Sequence, residues 1–332
     1  MSPPRIAVIG AGLAGLSCAR ALQARGAVIR LFDKGRAAGG RLATRRAEAA
    51  GLPLQFDHGA QYLTARSEGF AALLRECGAA PWGGPGRLVG TPGMSALPRR
   101  LAAGLDLVAA RHVTAIEGAP GAWVVRHLDA TTVRPGRPLP PGVPAREGPF
   151  DAVALALPPE QAAPLVAPHA PSWPARLAAV RLAPCWTVMA AFAAPLPLPD
   201  SLRPEEDGAI GWAARDSSKP GRPAGAECWV VQGGPDWSRA HLEDTPEQVI
   251  PALLAALGAR AGRDLPAPIH AAAHRWRYSL VEAPLGQPCL HDPALRLGLA
   301  GDWCLAGRAE SAFESGTALA AAMAQPHADR AA

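Results

Sequence analysis

The sequence predicts an α/β chain of two units, one organised on a parallel sheet and one on a mostly antiparallel sheet. Three observations carry that expectation. Residues 5–33 read as strand, glycine turn, helix and strand; short apolar runs separated by Pro and Gly fill the middle; and buried-strand and helix character returns after residue 295. At 332 residues the chain is about twice the usual single-domain length, so two packed units are the default.

"RIAVI", Arg5 to Ile9, is an apolar run of strand length that stops at Gly10. Leu13 to Arg25 then has helical spacing and is closed by Gly26, and "AVIRLFD" supplies the next strand. Strand, crossover helix and strand make a βαβ unit, whose strands are parallel. Farther on, "GLDLVAARHVTAIEG" and "GAWVVRHL" alternate as a strand pair, and "FDAVALALPP" is a buried strand stopped by two prolines. Residues 134–149, "RPGRPLPPGVPAREGP", hold too much Pro and Gly for regular structure and are expected as an exposed hairpin loop. After Pro159, "CWTVMAAF", "GAIGWAAR" and "ECWVVQGG" are short β-like runs, followed by a helix near Pro246 to Leu257. "LRLGLAGDW" returns to buried-strand character, and "AESAFESGTALAAAMA" is a helix with small residues along one side. The C-terminal part is therefore expected to rejoin the first unit. Residues 1–60, 95–160 and 285–332 form one discontinuous domain, and 61–94 and 161–284 form the other.

Composition excludes several function classes. Basic residues outnumber acidic ones 33 to 28, but only Lys34 and Lys219 are lysine, and the arginines are scattered among Ala, Gly and Pro. No dense basic block with interleaved aromatics is present, so a nucleic-acid partner is not expected. No apolar run reaches ~18 residues, so no membrane span is expected, and glycines break the N-terminal run that would otherwise resemble a signal peptide. Cys18, Cys77, Cys185, Cys228, Cys289 and Cys304 lack CxxC spacing and a companion His cluster. They read as reduced thiols of a cytoplasmic chain, with neither disulfides nor a metal site.

The chemistry begins at "GAGLAG", where Gly10, Gly12 and Gly15 stand in GxGxxG spacing between a strand and a helix. The first glycine makes the tight turn and the second admits a pyrophosphate to the backbone. The third lets helix and strand pack closely, with the phosphates on the helix N-terminus. Asp33 ends the second strand, where an acidic side chain binds the adenosine ribose hydroxyls; this favours FAD or NAD over NADP. "AAGGRLATRR" separates the first two. Gly39-Gly40-Arg41 follows Asp33 so closely that the chain must turn back toward the same pyrophosphate, where glycines allow close approach and a guanidinium neutralises phosphate. Arg45 and Arg46 read as solvated. In "LGLAGDW", Gly301 and Asp302 sit at a strand tip where a carboxylate can accept from a ribityl hydroxyl, and the helix starting near Glu310 directs its positive end at a flavin ring. Two distant phosphate and sugar elements call for an extended dinucleotide, FAD.

With these pieces in hand, the chain resembles the flavoprotein family that includes monoamine oxidases and renalase, most closely its bacterial renalase branch. The segments that carry the resemblance span nearly the whole chain: "GAGLAGLSCARAL", "GGRLATRR", "FDHGAQYLTAR", "GMSALPRRLA", "CWTVMAAF", "ARDSSKPGR", "WSRAHLE", "HRWRYSL" and "GLAGDWCLAGRAESAFESG". The resemblance implies a Rossmann-type FAD-binding domain with a parallel sheet plus a substrate domain with a mostly antiparallel sheet. It implies non-covalent FAD held by Gly10, Ala11, Gly12, Leu13, Ala14, Gly15, Asp33, Lys34, Gly40, Arg41, Leu42, Gly59, Ala60, Gln61, Val113, Gly301, Asp302, Ser311 and Ala312. The implied activity is oxidation of misreduced 1,2- and 1,6-dihydro isomers of NAD(P) to NAD(P)+, with O2 reduced to hydrogen peroxide. Ala306, Ser311 and Glu314 depart from the family pattern.

Hydride loss from a dihydropyridine is driven by aromatisation and needs orientation and exclusion of water more than a general base. Consistent with that, no nucleophile-base arrangement is found, and Ser217 and Ser218 lie in a polar loop. His58 reads as a ring lining the flavin or a structural residue in preference to a base. Tyr62, Trp276 and Tyr278 are expected in the substrate pocket, with core packing the alternative for Tyr278. Lys219 either approaches the flavin or a substrate phosphate or is a solvated loop lysine. The partners expected are a dinucleotide substrate and O2, in a monomer or weak dimer. The alternatives are a flavin amine oxidase acting on a small amine, with Cys304 as a conceivable covalent flavin anchor, and a flavin-bound binding partner without turnover.

Overall fold

A strand whose residues after the first are all buried needs cover on both faces, the environment of a central parallel strand. Arg5–Ile9 is such a strand in the computed structural model, which describes residues 2–134, 137–206 and 208–325. It lies between the parallel strands Val28–Phe32 and Ala152–Leu155. The sheet continues through Asp106–Val108 on one side and Leu297–Leu299 on the other, both parallel, and ends in the antiparallel edge strand Leu290–Asp292. Crossover from the first strand runs through the helix Leu13–Gln23. The C-terminal helix Ala309–Met323 packs on that helix through Gly316, where a Cβ would stand 2.1 Å from the Ala14 carbonyl oxygen. This close approach is why the helix is lined with small residues.

The second sheet has the strand order Ser201–Leu202, Ile210–Arg215, Glu227–Gly233, Arg181–Phe192 and His270–Ala283, and the pairs from the first through the fourth are antiparallel. Strand alternation sorts its side chains onto two faces. Val188, Ala190, Phe192, Trp229 and Val231 join Val249, Leu253 and Leu257 of the helix Pro246–Ala261. Met189, Ala191, Cys228 and Val230 join Leu54 and Phe56 of the hairpin Thr44–Ala49 and Leu52–Asp57. The helix starts at a Thr245/Gln248 capping box with Pro246 in its first turn.

Contacts divide the chain into Met1–Gly40, Pro98–Arg181 and Val281–Ala332 as one unit and Arg41–Leu97 and Leu182–Leu280 as the other. These bounds differ from the sequence reading by a few residues at 95–97 and 281–284 and more substantially at two places. Residues 41–60 belong to the second unit because Leu54 and Phe56 are buried against its sheet. Residues 161–181 belong to the first, where His169 packs edge-on against Trp123 and its Nε2 lies 2.9 Å from the Ile116 carbonyl oxygen.

Two further expectations are corrected. "GLDLVAARHVTAIEG" is not one strand: Asp106–Val108 joins the parallel sheet, Ala110 turns the chain with φ 54°, and Arg111–Glu117 pairs antiparallel with Trp123–Asp129. The Pro-rich run is not loop throughout, because Ala145–Phe150 pairs with Trp123–Asp129 as the third strand of that sheet. The residues between Pro144 and Pro149 retain their N–H groups, and Glu147 is fixed by an ion pair to Arg30 at 2.5 Å. Residues 135–136 of that run lie outside the described residues. Among the described residues no helix is long and apolar enough to cross a membrane, and all six cysteines are free.

Candidate cofactor and substrate site

In the first unit each glycine of the first turn has its own reason. Gly10 has φ +106°, and a Cβ there would lie 2.4 Å from the Ala156 carbonyl oxygen. A Cβ on Gly15 would lie 1.8 Å from the Gly10 carbonyl oxygen, so this residue is small to let helix and strand pack. Gly12 differs: a Cβ there meets nothing within 4 Å. It is the N-cap of Leu13–Gln23 and has no side-chain cap, so open space lies at the positive end of the helix, beside Leu13 and Ala14.

Asp33 is tied into the same turn. Its carboxylate accepts from the N–H groups of Ala11 and Gly35, each at 2.6 Å. Burial raises its pKa, opposed by these two hydrogen bonds and by Lys34. Lys34 donates to Gln161 Oε1 at 3.3 Å, and burial pushes its pKa down. The Gly39-Gly40 turn folds back on the glycine motif: Gly39 N–H donates to the Ala11 carbonyl at 2.9 Å, and Gly40 has φ +53° with its Cβ position 3.4 Å from Gly12 Cα.

Gly301 follows the strand Leu297–Leu299, which is separated from Arg5–Ile9 by the single strand Ala152–Leu155, so both glycines stand at carboxyl ends of parallel strands. Ligands of open α/β sheets bind at such ends. Ser315 Oγ accepts from Gly301 N–H at 3.0 Å, and Trp303 occupies the space a Gly301 side chain would need. Asp302 and Ala312 are buried. Ser311 is fully buried, and its Oγ has no hydrogen-bond partner among the described residues, a costly state that a bound polar group relieves. Val113 is half-buried on the antiparallel strand Arg111–Glu117, whose Arg111 N–H donates to the Asp33 carbonyl at 2.8 Å. The open space at Gly12 and the orphaned Ser311 hydroxyl fit a bound dinucleotide.

The second unit contains Arg41 and Leu42. Arg41 Nη1 donates to the Ser279 carbonyl at 2.6 Å, Leu42 is buried, and Arg45 and Arg46 are exposed as expected. The Arg41 main chain runs against Gly59-Ala60: Ala60 N–H donates to the Arg41 carbonyl at 2.8 Å, and a Cβ on Gly59 would lie 2.0 Å from that oxygen. Gln61 then ties the turn together by donating to the carbonyls of Asp57 at 2.5 Å and Gly59 at 3.1 Å.

Lys219 is not a solvated loop lysine. Its side chain is fully buried, with Nζ 2.5 Å from Asp216, 3.5 Å from Asp57 and 3.3 Å from Gln61 Oε1. Arg222 pairs with both carboxylates, and Thr44 Oγ1 and Met94 N–H donate to Asp57 at 2.7 and 3.0 Å. Burial alone would raise the Asp57 pKa, but Lys219, Arg222 and these hydrogen bonds hold it below the usual carboxylate value. Ser217 and Ser218 are structural: Ser217 Oγ accepts from Cys228 N–H, and Ser218 Oγ accepts from Trp82 Nε1 at 2.9 Å.

His58 sits in a three-ring cluster, 5.1 Å from His274 and 5.2 Å from Trp276, and its carbonyl accepts from Trp276 Nε1 at 2.9 Å. Burial, with His274 and Arg45 nearby, pushes its pKa down to about 4, so the ring is neutral. Tyr62 packs 5.3 Å from Trp212. Tyr278 is half-buried on the strand His270–Ala283, two residues after Trp276. Sequence reasoning missed Asp57, Asp216, Arg222, Gln232, Trp212 and His274. The spacing of Asp216, Lys219 and Arg222 in "DSSKPGR" was the available signal, because a carboxylate followed at three-residue spacing by two cations suggests mutual pairing.

Residues 82–324 match the flavin containing amine oxidoreductases, and residues 8–77 match an NAD(P)-binding Rossmann-like domain. The chain belongs to the flavin-containing amine oxidoreductase family. Its cofactor is FAD, and the open cradle at Gly12 is where family and geometry agree. The fold recurs in solved structures of low sequence identity. A protein assigned as a protoporphyrinogen oxidase from Exiguobacterium sp. 255-15 superposes with TM-score 0.72 at 14% identity, covering 97% of this chain and 99% of that one. Cyclohexylamine oxidase from Brevibacterium oxydans IH-35A gives 0.69 at 14% identity, over 97% and 98% of the two chains. Putrescine oxidase bound to putrescine gives 0.65 at 12% identity, over 97% and 99%.

Proposed function

We propose that this flavin-dependent oxidoreductase oxidises 1,2- and 1,6-dihydro isomers of NAD(P) to NAD(P)+, as in the bacterial renalases it resembles. The chemistry FAD supplies when bound is acceptance of a hydride and reoxidation by O2 to hydrogen peroxide. In this reading, Asp33 binds ribose hydroxyls, the helix N-terminus at Gly12 and the Arg41 guanidinium hold the pyrophosphate, and Asp302 and Ser311 bind the flavin half. Tyr62, Trp276 and Tyr278 give the substrate rings to stack on. His58 lines the pocket as a neutral ring. Lys219 acts through Gln61, which holds the Gly59-Ala60 turn against Arg41. Burial pushes the Cys304 thiol up to about 12, so it is held as a poor nucleophile and the flavin stays non-covalent.

The observation that carries the reading is electrostatic. The buried charges Asp57, Asp216, Lys219 and Arg222 compensate one another and the His58 ring, its pKa pushed down to about 4, is a weak base, so none of these groups is set up for proton abstraction. Loss of a hydride from a dihydropyridine needs none. Oxidation of a small amine is the second reading, favoured by the fold shared with putrescine and cyclohexylamine oxidases. A cationic amine would, however, find Asp57 and Asp216 fully buried and already paired. Six free cysteines fit a cytoplasmic protein, which we take to be a monomer or weak dimer. The test is oxygen uptake by the FAD-loaded chain. The reading expects one peroxide formed per NAD+ produced from the dihydro isomers; uptake with amines alone would refute it.

A further inference from the structure

In the second unit the Arg87 guanidinium lies over two rings, 4.6 Å from the centroid of Tyr62 and 5.1 Å from that of Trp212. The segments are fastened by reciprocal hydrogen bonds between Leu63 and Leu88 at 2.7 and 2.9 Å, and Arg87 Nη1 is anchored on the Gly83 carbonyl at 3.0 Å. Among the described residues no carboxylate pairs with this guanidinium. Trp212 Nε1 is buried and has no acceptor among them. Trp212 is also the cross-strand partner of Gln232, whose amide donates to the Gly59 carbonyl at 2.8 Å, so the cluster stands beside the His58–Gln61 turn.

A guanidinium with no carboxylate partner among the described residues, a buried indole N–H lacking an acceptor and two tilted rings make a donor site for an anion attached to an aromatic group. A cation would be repelled from it. We infer that Arg87, with Tyr62 and Trp212, binds the diphosphate of a nucleoside diphosphate, the ADP portion of the dinucleotide substrate. The inference rests on the dihydro-NAD(P) reading of the same site. It adds the residue that selects an anionic dinucleotide against an amine.

The probe is ADP-ribose, titrated calorimetrically into the FAD-loaded chain, so that the flavin site is filled. Arg87→Gln is expected to weaken its binding about tenfold, and Trp212→Phe, which keeps a ring and deletes the N–H, about threefold. In turnover, Arg87→Gln raises the KM ratio of dihydro-NAD to the phosphate-free dihydronicotinamide riboside about tenfold, which loss of structure alone would not do. No ADP-ribose binding by the wild type, or equal binding by wild type and both variants, overturns the inference. If Arg87→Gln and Trp212→Phe weaken ADP-ribose binding but no dihydropyridine is oxidised, the diphosphate site stands and the substrate reading falls.

Discussion

Lys219→Met removes one charge from a buried set that sums to zero. Asp57 and Asp216 contribute two negative charges and Lys219 and Arg222 two positive ones, all four side chains being at most 1% exposed. The variant leaves one uncompensated carboxylate in the interior, a change that costs about 3–5 kcal/mol in buried pairs that lose a partner. That is a large share of a typical folding free energy of about 5–15 kcal/mol. The loss should depend on pH in a defined direction. An unpaired buried carboxyl titrates above its unfolded value, so it is tolerated in its protonated form at low pH, and stability falls as pH rises through the shifted value. The loss is therefore expected to be clearly larger at pH 8 than at pH 5. Urea unfolding of the FAD-loaded chain at both pH values, followed by tryptophan fluorescence, measures this. Adding Asp216→Asn returns the sum to zero and should recover part of the loss at pH 8. A loss below about 1 kcal/mol, or one equal at pH 5 and pH 8, would refute the reasoning.

Further outcomes follow from single residues. Gly12→Ala should cost under about 1 kcal/mol of stability, because nothing stands near its Cβ, yet weaken FAD binding at least tenfold; Gly15→Ala should fail to fold. Equal flavin content in Gly12→Ala and wild type would remove the cradle. The folded His58 pKa of about 4 lies below the unfolded value near 6.5, so its contribution is present above the unfolded value and is lost as pH falls from 6.5 to 4, to about 3 kcal/mol in all. His58→Gln should flatten that part of the stability curve, and an unchanged acid slope counts against a neutral buried ring. Arg41→Ala should weaken FAD retention about tenfold on gel filtration, and unchanged retention would exclude Arg41 from the phosphate site.

The parts of the fold legible in the sequence are those with a local cause. The β-like runs "CWTVMAAF" and "ECWVVQGG" are strands of the second sheet, and "GAGLAG" foretells a turn whose three glycines each meet a different constraint. The turn-back of Gly39-Gly40 onto Gly12 was legible because a left-handed conformation such as Gly40's φ +53° favours glycine. What sequence could not reveal depends on distant pairing. Lys219 is 162 residues from Asp57, and only the fold brings them to 3.5 Å. The membership of Leu54 and Phe56 in the second unit is likewise decided by Met189 and Val230. The strand Ala145–Phe150 was hidden because its pairing depends on Trp123–Asp129 and not on its own propensity.

The most direct test of the substrate reading is anaerobic mixing of the yellow FAD-loaded chain with 1,2- and 1,6-dihydro-NAD and, separately, with a panel of small amines, following flavin absorbance. The account predicts rapid bleaching by the dihydro-NAD isomers with release of NAD+. Bleaching by amines with no response to either isomer would contradict it.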